Sequence, residues 1–157
     1  MVVGCVLVIF EKTNWIMYYP ESALEMGINA PKAHQRIISK LTASLGHLYY
    51  HQHEIELEPL PETQIDEGQA SPVPDVMLYN NETFRTPIII EVCHPNGLNN
   101  DLKKIIRLIE ENDYGIEEGF IYDYVRGIWS KYQKGVGQVY SNVSYSAILD
   151  MDLATLL

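Results

Sequence analysis

The run Ile88-Ile89-Ile90, closed by Glu91-Val92-Cys93, constrains this chain more than any other segment. β-branched residues favour a pleated strand, and a second short apolar run, Val76-Met77-Leu78, precedes it after Pro74-Asp75. One acid opens its strand and the other closes its own. If the two strands pair antiparallel across Asn80-Asn81, Asp75 and Glu91 meet. Two readings follow. Asp75 is a turn residue behind Pro74 and Glu91 a solvated strand end, or the two converge on a hard divalent cation. Mg²⁺ takes oxygen ligands and keeps several waters, and a metal so held lowers the pKa of bound water and neutralises phosphate charge.

Alternation extends the pattern. Residues 89, 91 and 93 share one strand face and 88, 90 and 92 the other. Cys93 therefore points to the same side as Glu91. The helix expected after His94-Pro95-Asn96-Gly97 is capped by Asn100 or Asp101 and runs through Glu111. Its buried stripe is Leu102, Ile105, Ile106 and Ile109, with Asp101 and Lys104 on one flank and Lys103 and Arg107 on the other.

Upstream, Val2 to Tyr19 reads as two strands around Glu11-Lys12-Thr13-Asn14. A helix is expected from Ala33 to Leu48, with Ile37, Ile38, Leu41, Leu45 and Leu48 at helical spacing. Lys32, Arg36 and Lys40 recur every four residues along one side of it, either a solvated face or a track for phosphates. Tyr50 to Leu57 alternates as a half-exposed strand. Pro59 to Pro72, rich in Pro, Gln, Glu and Gly, reads as a long loop. Phe120–Val125 and Ile128–Gln133 read as a hairpin around Arg126-Gly127. Short strands and a terminal turn complete the chain.

These pieces resemble the signature of the PD-(D/E)XK nuclease superfamily, most nearly its Uma-type restriction endonuclease branch. Pro74-Asp75 and Glu91-Val92-Cys93 supply the two acids. Ala30-Pro31-Lys32-Ala33-His34-Gln35-Arg36-Ile37 is similar to that branch's small-Pro-x-x-His opening of a first helix. Asp101, ten residues after Glu91, matches its helix-opening Asp. Gly115 to Asp123 resembles its Gly-Val-x-Glu-Tyr-Trp-hydrophobic-Asp strand, and Leu149-Asp150-Met151-Asp152-Leu153 its closing motif. The resemblance covers residues 30 to 157.

It implies an α/β fold with a restriction endonuclease-like core. A central mixed sheet is flanked by two helices in the order α-β-β-β-α-β, with added N-terminal strands and a C-terminal hairpin. The whole, residues 1–157, is one domain. It implies Mg²⁺ or Mn²⁺ held by Asp75, Glu91 and the Val92 carbonyl. The signature lysine falls at Cys93, and the branch instead carries one on the following helix. Its usual place is Ile105 here, so Lys104 takes the role, with Lys103 as substitute. Glu25, with Glu21 behind it, is the candidate for the branch's amino-terminal Glu. His34 and Asp101 are additional site candidates, and Lys32, Arg36 and Lys40 candidates for nucleic-acid contact. The implied activity is metal-dependent DNA endonuclease, acting as a homodimer. A non-catalytic interaction domain on the same fold and an RNA-cleaving enzyme are the alternatives. Cys93 favours the interaction domain.

Charge bears on that choice. The net charge is −10, which opposes a polyanion, since phosphate contacts dominate nucleic-acid affinity. Residues 49–100 hold nine acids and one Arg, so most of the excess lies there. Binding to DNA is expected to be weak. Cys5 and Cys93 lie in apolar strand-like runs, as expected of a reducing, cytoplasmic setting rather than a disulfide scaffold. Cys93-His94 has no second ligand pair nearby for zinc. Val2 to Phe10 is too short to span a bilayer, and no membrane partner is expected. No Walker loop, Rossmann glycine pattern or Gly-x-Ser-x-Gly elbow is present.

Overall fold

Pro31, with φ −55° and ψ 144°, stands immediately before helix α1 (Lys32–His47). The computed structural model describes residues 31–157 apart from residue 69, and Pro31–Leu157 forms one compact unit. The expected strands between Val2 and Tyr19, together with Cys5, Glu21 and Glu25, lie outside the described residues.

α1 buries Ile38, Leu41 and Leu45 on one stripe. It continues as a wider π-helical turn, Leu48–Gln52, until His53 at φ 54° ends it. This corrects the expectation of a strand from Tyr50. Leu48 and Tyr49 pack against the α1-side core, which holds the segment helical. The alternation after it is real: Ile55 and Leu57 are buried, Glu54 and Glu56 exposed. Strand hydrogen bonding begins only at β1 (Glu58–Pro61), inside the segment expected to be loop.

The remaining strands are β2 (Val76–Asn80), β3 (Arg85–Cys93), β4 (Glu118–Asp123), β5 (Ile128–Gln133) and β6 (Val139–Ser141). They form one sheet in sequence order, β1 to β6. β3 and β4 are parallel and every other pair is antiparallel. The parallel pair is bridged by α2 (Leu98–Glu110). A small hairpin, β7 (Tyr145–Ser146) with β8 (Met151–Asp152), and a 3₁₀ turn at Leu153–Leu156 close the chain.

Period-two alternation sorts the core into two layers. Ile88, Ile90 and Val92 face the cluster of α1 and the terminal turn. Ile89 and Cys93 face the cluster of Ile105, Leu108 and Ile109 on α2. α2 seats closely because β4 carries Gly119, where a Cβ would stand 2.3 Å from Ile105 Cγ2. The closing hairpin is fastened by a buried ion pair. Lys131 Nζ lies 2.6 Å from Glu118 Oε1, and Glu118 also accepts from Ser146 Oγ at 2.6 Å and the Ala147 amide at 3.1 Å.

β1 lies at one edge of the sheet, with Pro59 opposite Leu78 and Pro61 opposite Val76. The Glu62 amide donates to Asp75 O at 3.1 Å. By alternation Glu58 and Leu60 also turn their backbone groups to β2, while Pro59 and Pro61 turn theirs outward, where a missing N–H breaks no ladder bond. Among the described residues no helix is long and apolar enough to cross a membrane.

Candidate active site at the carboxyl end of the parallel pair

The register of β2 against β3 pairs Val76 with Ile90. One step further it sets Asp75 opposite Glu91, as their positions in the two strands predict. Both acids thus stand where β3 and β4 end side by side, the end of a parallel pair at which open α/β sheets bind ligands.

Glu91 is 4% exposed. Lys104 Nζ reaches its Oε1 at 2.7 Å and also donates to Val73 O at 3.1 Å. That carboxylate oxygen has the ion pair but no hydrogen bond of good geometry. Burial, opposed by the Lys104 charge and reinforced by that of Asp75, pushes the Glu91 carboxyl up to about 7. Lys103 is exposed and makes no ion pair or hydrogen bond among the described residues. Ile105, the position the family pattern would give to lysine, is fully buried against β4. The cation therefore approaches from one residue earlier on the helix.

Asp75 accepts from the Val92 amide at 2.6 Å and faces His34 Nε2 at 3.3 Å. His34 stands four residues before Ile38, so it heads the buried stripe of α1 and points inward. The bond to Asp75 raises the imidazole above its ordinary pKa against the cost of burial, and the Asp75 charge adds to it. Lys32, Arg36 and Lys40 are exposed on the opposite side of the helix.

Asp101 does not cap α2. The cap position is Gly97, without a side-chain hydrogen bond. Asp101 lies in the first turn, where burial raises its pKa, Lys104 lowers it, Asp75 raises it and His34 lowers it. Asp101 thus feels the site's other charges. Asn100 also lies inside the helix.

Cys93 is held as a neutral thiol. Burial, then the charges of Asp101 and Asp123, push it up to about 12. Asp123, its register partner on β4, is committed to a turn. It accepts the Val125 and Arg126 amides at 3.0 Å each and the Arg126 guanidinium. Burial alone would raise its carboxyl, but the two Arg126 bonds, the Val125 amide and the Arg126 charge together hold it low.

Sequence reasoning passed over two residues at the mouth. Tyr124 follows β4 and its ring centroid lies 6.1 Å from that of His34 and 6.1 Å from that of His94. Tyr124 lies in a strand of the expected hairpin and His94 at the break before the expected helix, and neither placement marks a site residue. The parallel pairing of β3 with β4 that joins them has no local signal.

The donor set suits a hard cation. Two carboxylates and the Val92 carbonyl are oxygen donors, and the buried Glu91 carboxylate already draws one cation, Lys104, to 2.7 Å. Among the described residues no three His, Cys, Asp or Glu side chains converge as a ready-made cage. Such a site fits an ion that retains much of its water, as Mg²⁺ does.

The order of elements and the mixed six-stranded sheet between two helices define a restriction endonuclease-like α/β fold. No protein-family model matches the chain, and no curated protein does. Among solved structures it is similar to a candidate nuclease belonging to DUF820 from Anabaena variabilis. The TM-score is 0.60 at 14% identity, over 82% of this chain and 77% of that one. At that identity the likeness is one of fold.

Proposed function

We propose that this chain is a metal-dependent DNA endonuclease of the Uma-type branch, hydrolysing phosphodiester bonds with Mg²⁺ or Mn²⁺. The observation that carries the reading is the Lys104 ammonium 2.7 Å from the buried Glu91 carboxylate. It supplies from α2 the positive charge that Cys93 cannot. Asp75, Glu91 and the Val92 carbonyl would hold the ion. When bound, it would lower the pKa of its water and offset charge on the phosphate. Lys104 orients the attacking water and balances developing charge, and Lys103 is too exposed to share that work. His34 holds Asp75 in place, as outer partners of ligands commonly do. Lys32, Arg36 and Lys40 track the phosphates. Affinity is weak because of the net charge of −10, and two copies act together on a duplex.

Calorimetric titration with Mn²⁺, paired with plasmid cleavage, tests this. The parent chain should bind Mn²⁺ and nick DNA, and Asp75→Asn should lose both. A parent that neither binds the ion nor cleaves DNA would leave the non-catalytic interaction domain as the better reading. Cleavage of RNA alone would move the substrate class and keep the metal site.

A further inference from the structure

The nuclease reading leaves unused the rim where β3 and β4 end. The Tyr124 amide donates to Cys93 O at 3.2 Å, fixing its backbone at that junction. Its ring packs half-buried against the α1-side core and meets His34 edge-on, at 78°. His34 in turn lies 3.3 Å from Asp75, so Tyr124 stands one ring away from a carboxylate of the site. The Tyr124 hydroxyl has no hydrogen bond among the described residues.

His94 completes the rim on the other side of Tyr124. Its Nδ1 accepts the Asn96 amide at 3.3 Å. A neutral imidazole that accepts through Nδ1 carries its proton on Nε2. His94 is exposed, and Nε2 has no partner among the described residues. Two donors without a partner among the described residues, one phenolic and one imidazole, thus belong to neighbouring rings at this rim.

Resting on the nuclease reading, we propose that Tyr124 and His94 bind the substrate's phosphodiester backbone beside the scissile position, through Tyr124 Oη–H and His94 Nε2–H. Backbone contacts of this kind commonly come from tyrosine and other neutral donors as well as from Lys and Arg. Neutral donors suit this rim. Asp75, Glu91, Asp101 and Asp123 surround it; of its cations, Lys104 is assigned to the attacking water and Arg126 is engaged with Asp123.

The test uses a duplex oligonucleotide, with fluorescence anisotropy in Ca²⁺ for binding and Mn²⁺ for turnover. Tyr124→Phe keeps the ring and removes the donor. His94→Asn keeps an acceptor for the Asn96 amide and removes Nε2–H. Each should weaken binding about three- to tenfold, the range for one hydrogen bond. KM should rise with kcat nearly unchanged, and thermal stability should stay at the parent's value. For Tyr124→Phe the salt slope should not change, because no charge is removed. A parent that binds and cleaves while both variants match it would overturn this inference alone. So would a loss of binding matched by a fall in stability, which marks a packing role. A parent with no binding overturns the nuclease reading and this inference together.

Discussion

Glu91 stands under opposed influences, burial raising its carboxyl and Lys104 lowering it, and burial prevails. A carboxyl raised from an ordinary 4.5 to about 7 is protonated more readily in the folded chain than in the unfolded one. Below that window both states hold the proton. Through it the folded state holds the excess, so this group's contribution to stability declines as pH rises. Urea unfolding at pH 5 and pH 8 should show the metal-free parent losing more stability between the two than Glu91→Gln does. If Glu91 holds the ion as proposed, Mn²⁺ affinity should rise over the same interval, because the ionised carboxylate is the binding form. Lys104 gives a second expectation. Lys104→Ala should lower cleavage by about a hundredfold or more, the scale of a lost electrostatic stabiliser, with Mn²⁺ affinity near the parent's in calorimetry at alkaline pH, where Glu91 is ionised without the Lys104 charge. Lys103→Ala should leave both nearly intact. The meeting of Asp75 with Glu91 was legible because antiparallel register is arithmetic once two strands are known. The contact made by Lys104 was legible because helical spacing put it on the flank of the buried stripe. His34 was half legible, since its place four residues before Ile38 marks an inward side chain. Asp101 was misread as a cap because an acid near a helix start has the same local signature whether it caps or faces inward. Tyr124 and His94 were illegible as a pair, for residues so far apart in sequence meet only through β3 and β4.

Among the elements, α2 depends on β4 having no side chain at Gly119. With Ile105 Cγ2 2.3 Å from where a Cβ would stand, Gly119→Ala should force the helix outward. The expected cost is about 1–3 kcal/mol, as for other overpacked cores, read from a denaturant midpoint. The same shift should loosen Lys104 from Glu91, so activity should fall further than stability alone explains. α1 carries the opposite kind of face. If its exposed cations follow a phosphate backbone, each of Lys32→Ala, Arg36→Ala and Lys40→Ala should reduce the salt slope of DNA binding by about one unit. An unchanged slope would return that stripe to ordinary solvation. Elements with strong periodicity were found close to their places. β1 was misplaced because its two prolines read as loop, although outward-facing prolines are tolerated at a sheet edge.

For the whole molecule, the excess of acid is spread through residues that do different work. Glu91 is buried in the site, while Glu118 is sealed beneath the closing hairpin with Lys131. Removing one partner of such a pair strands a charge in the interior. Lys131→Ala should therefore cost about 3–5 kcal/mol, with thermal unfolding as the readout. If Lys131 serves only to fasten the hairpin, variants stable enough to assay should keep Mn²⁺ affinity.

The two margins of the sheet have unequal valence. Over Pro59 and Pro61 the margin at β1 offers carbonyls but no donors, so another strand finds nothing there to complete a ladder. β6 has no such block, and Val139 and Tyr140 are exposed on it. Two copies joined β6 to β6 would leave the proline margins as the free edges of the joined six-stranded sheets, among the described residues. Among the described strands of this sheet, addition at β6 is thereby favoured over addition at β1, and a β6-to-β6 contact is of the kind that closes on a pair.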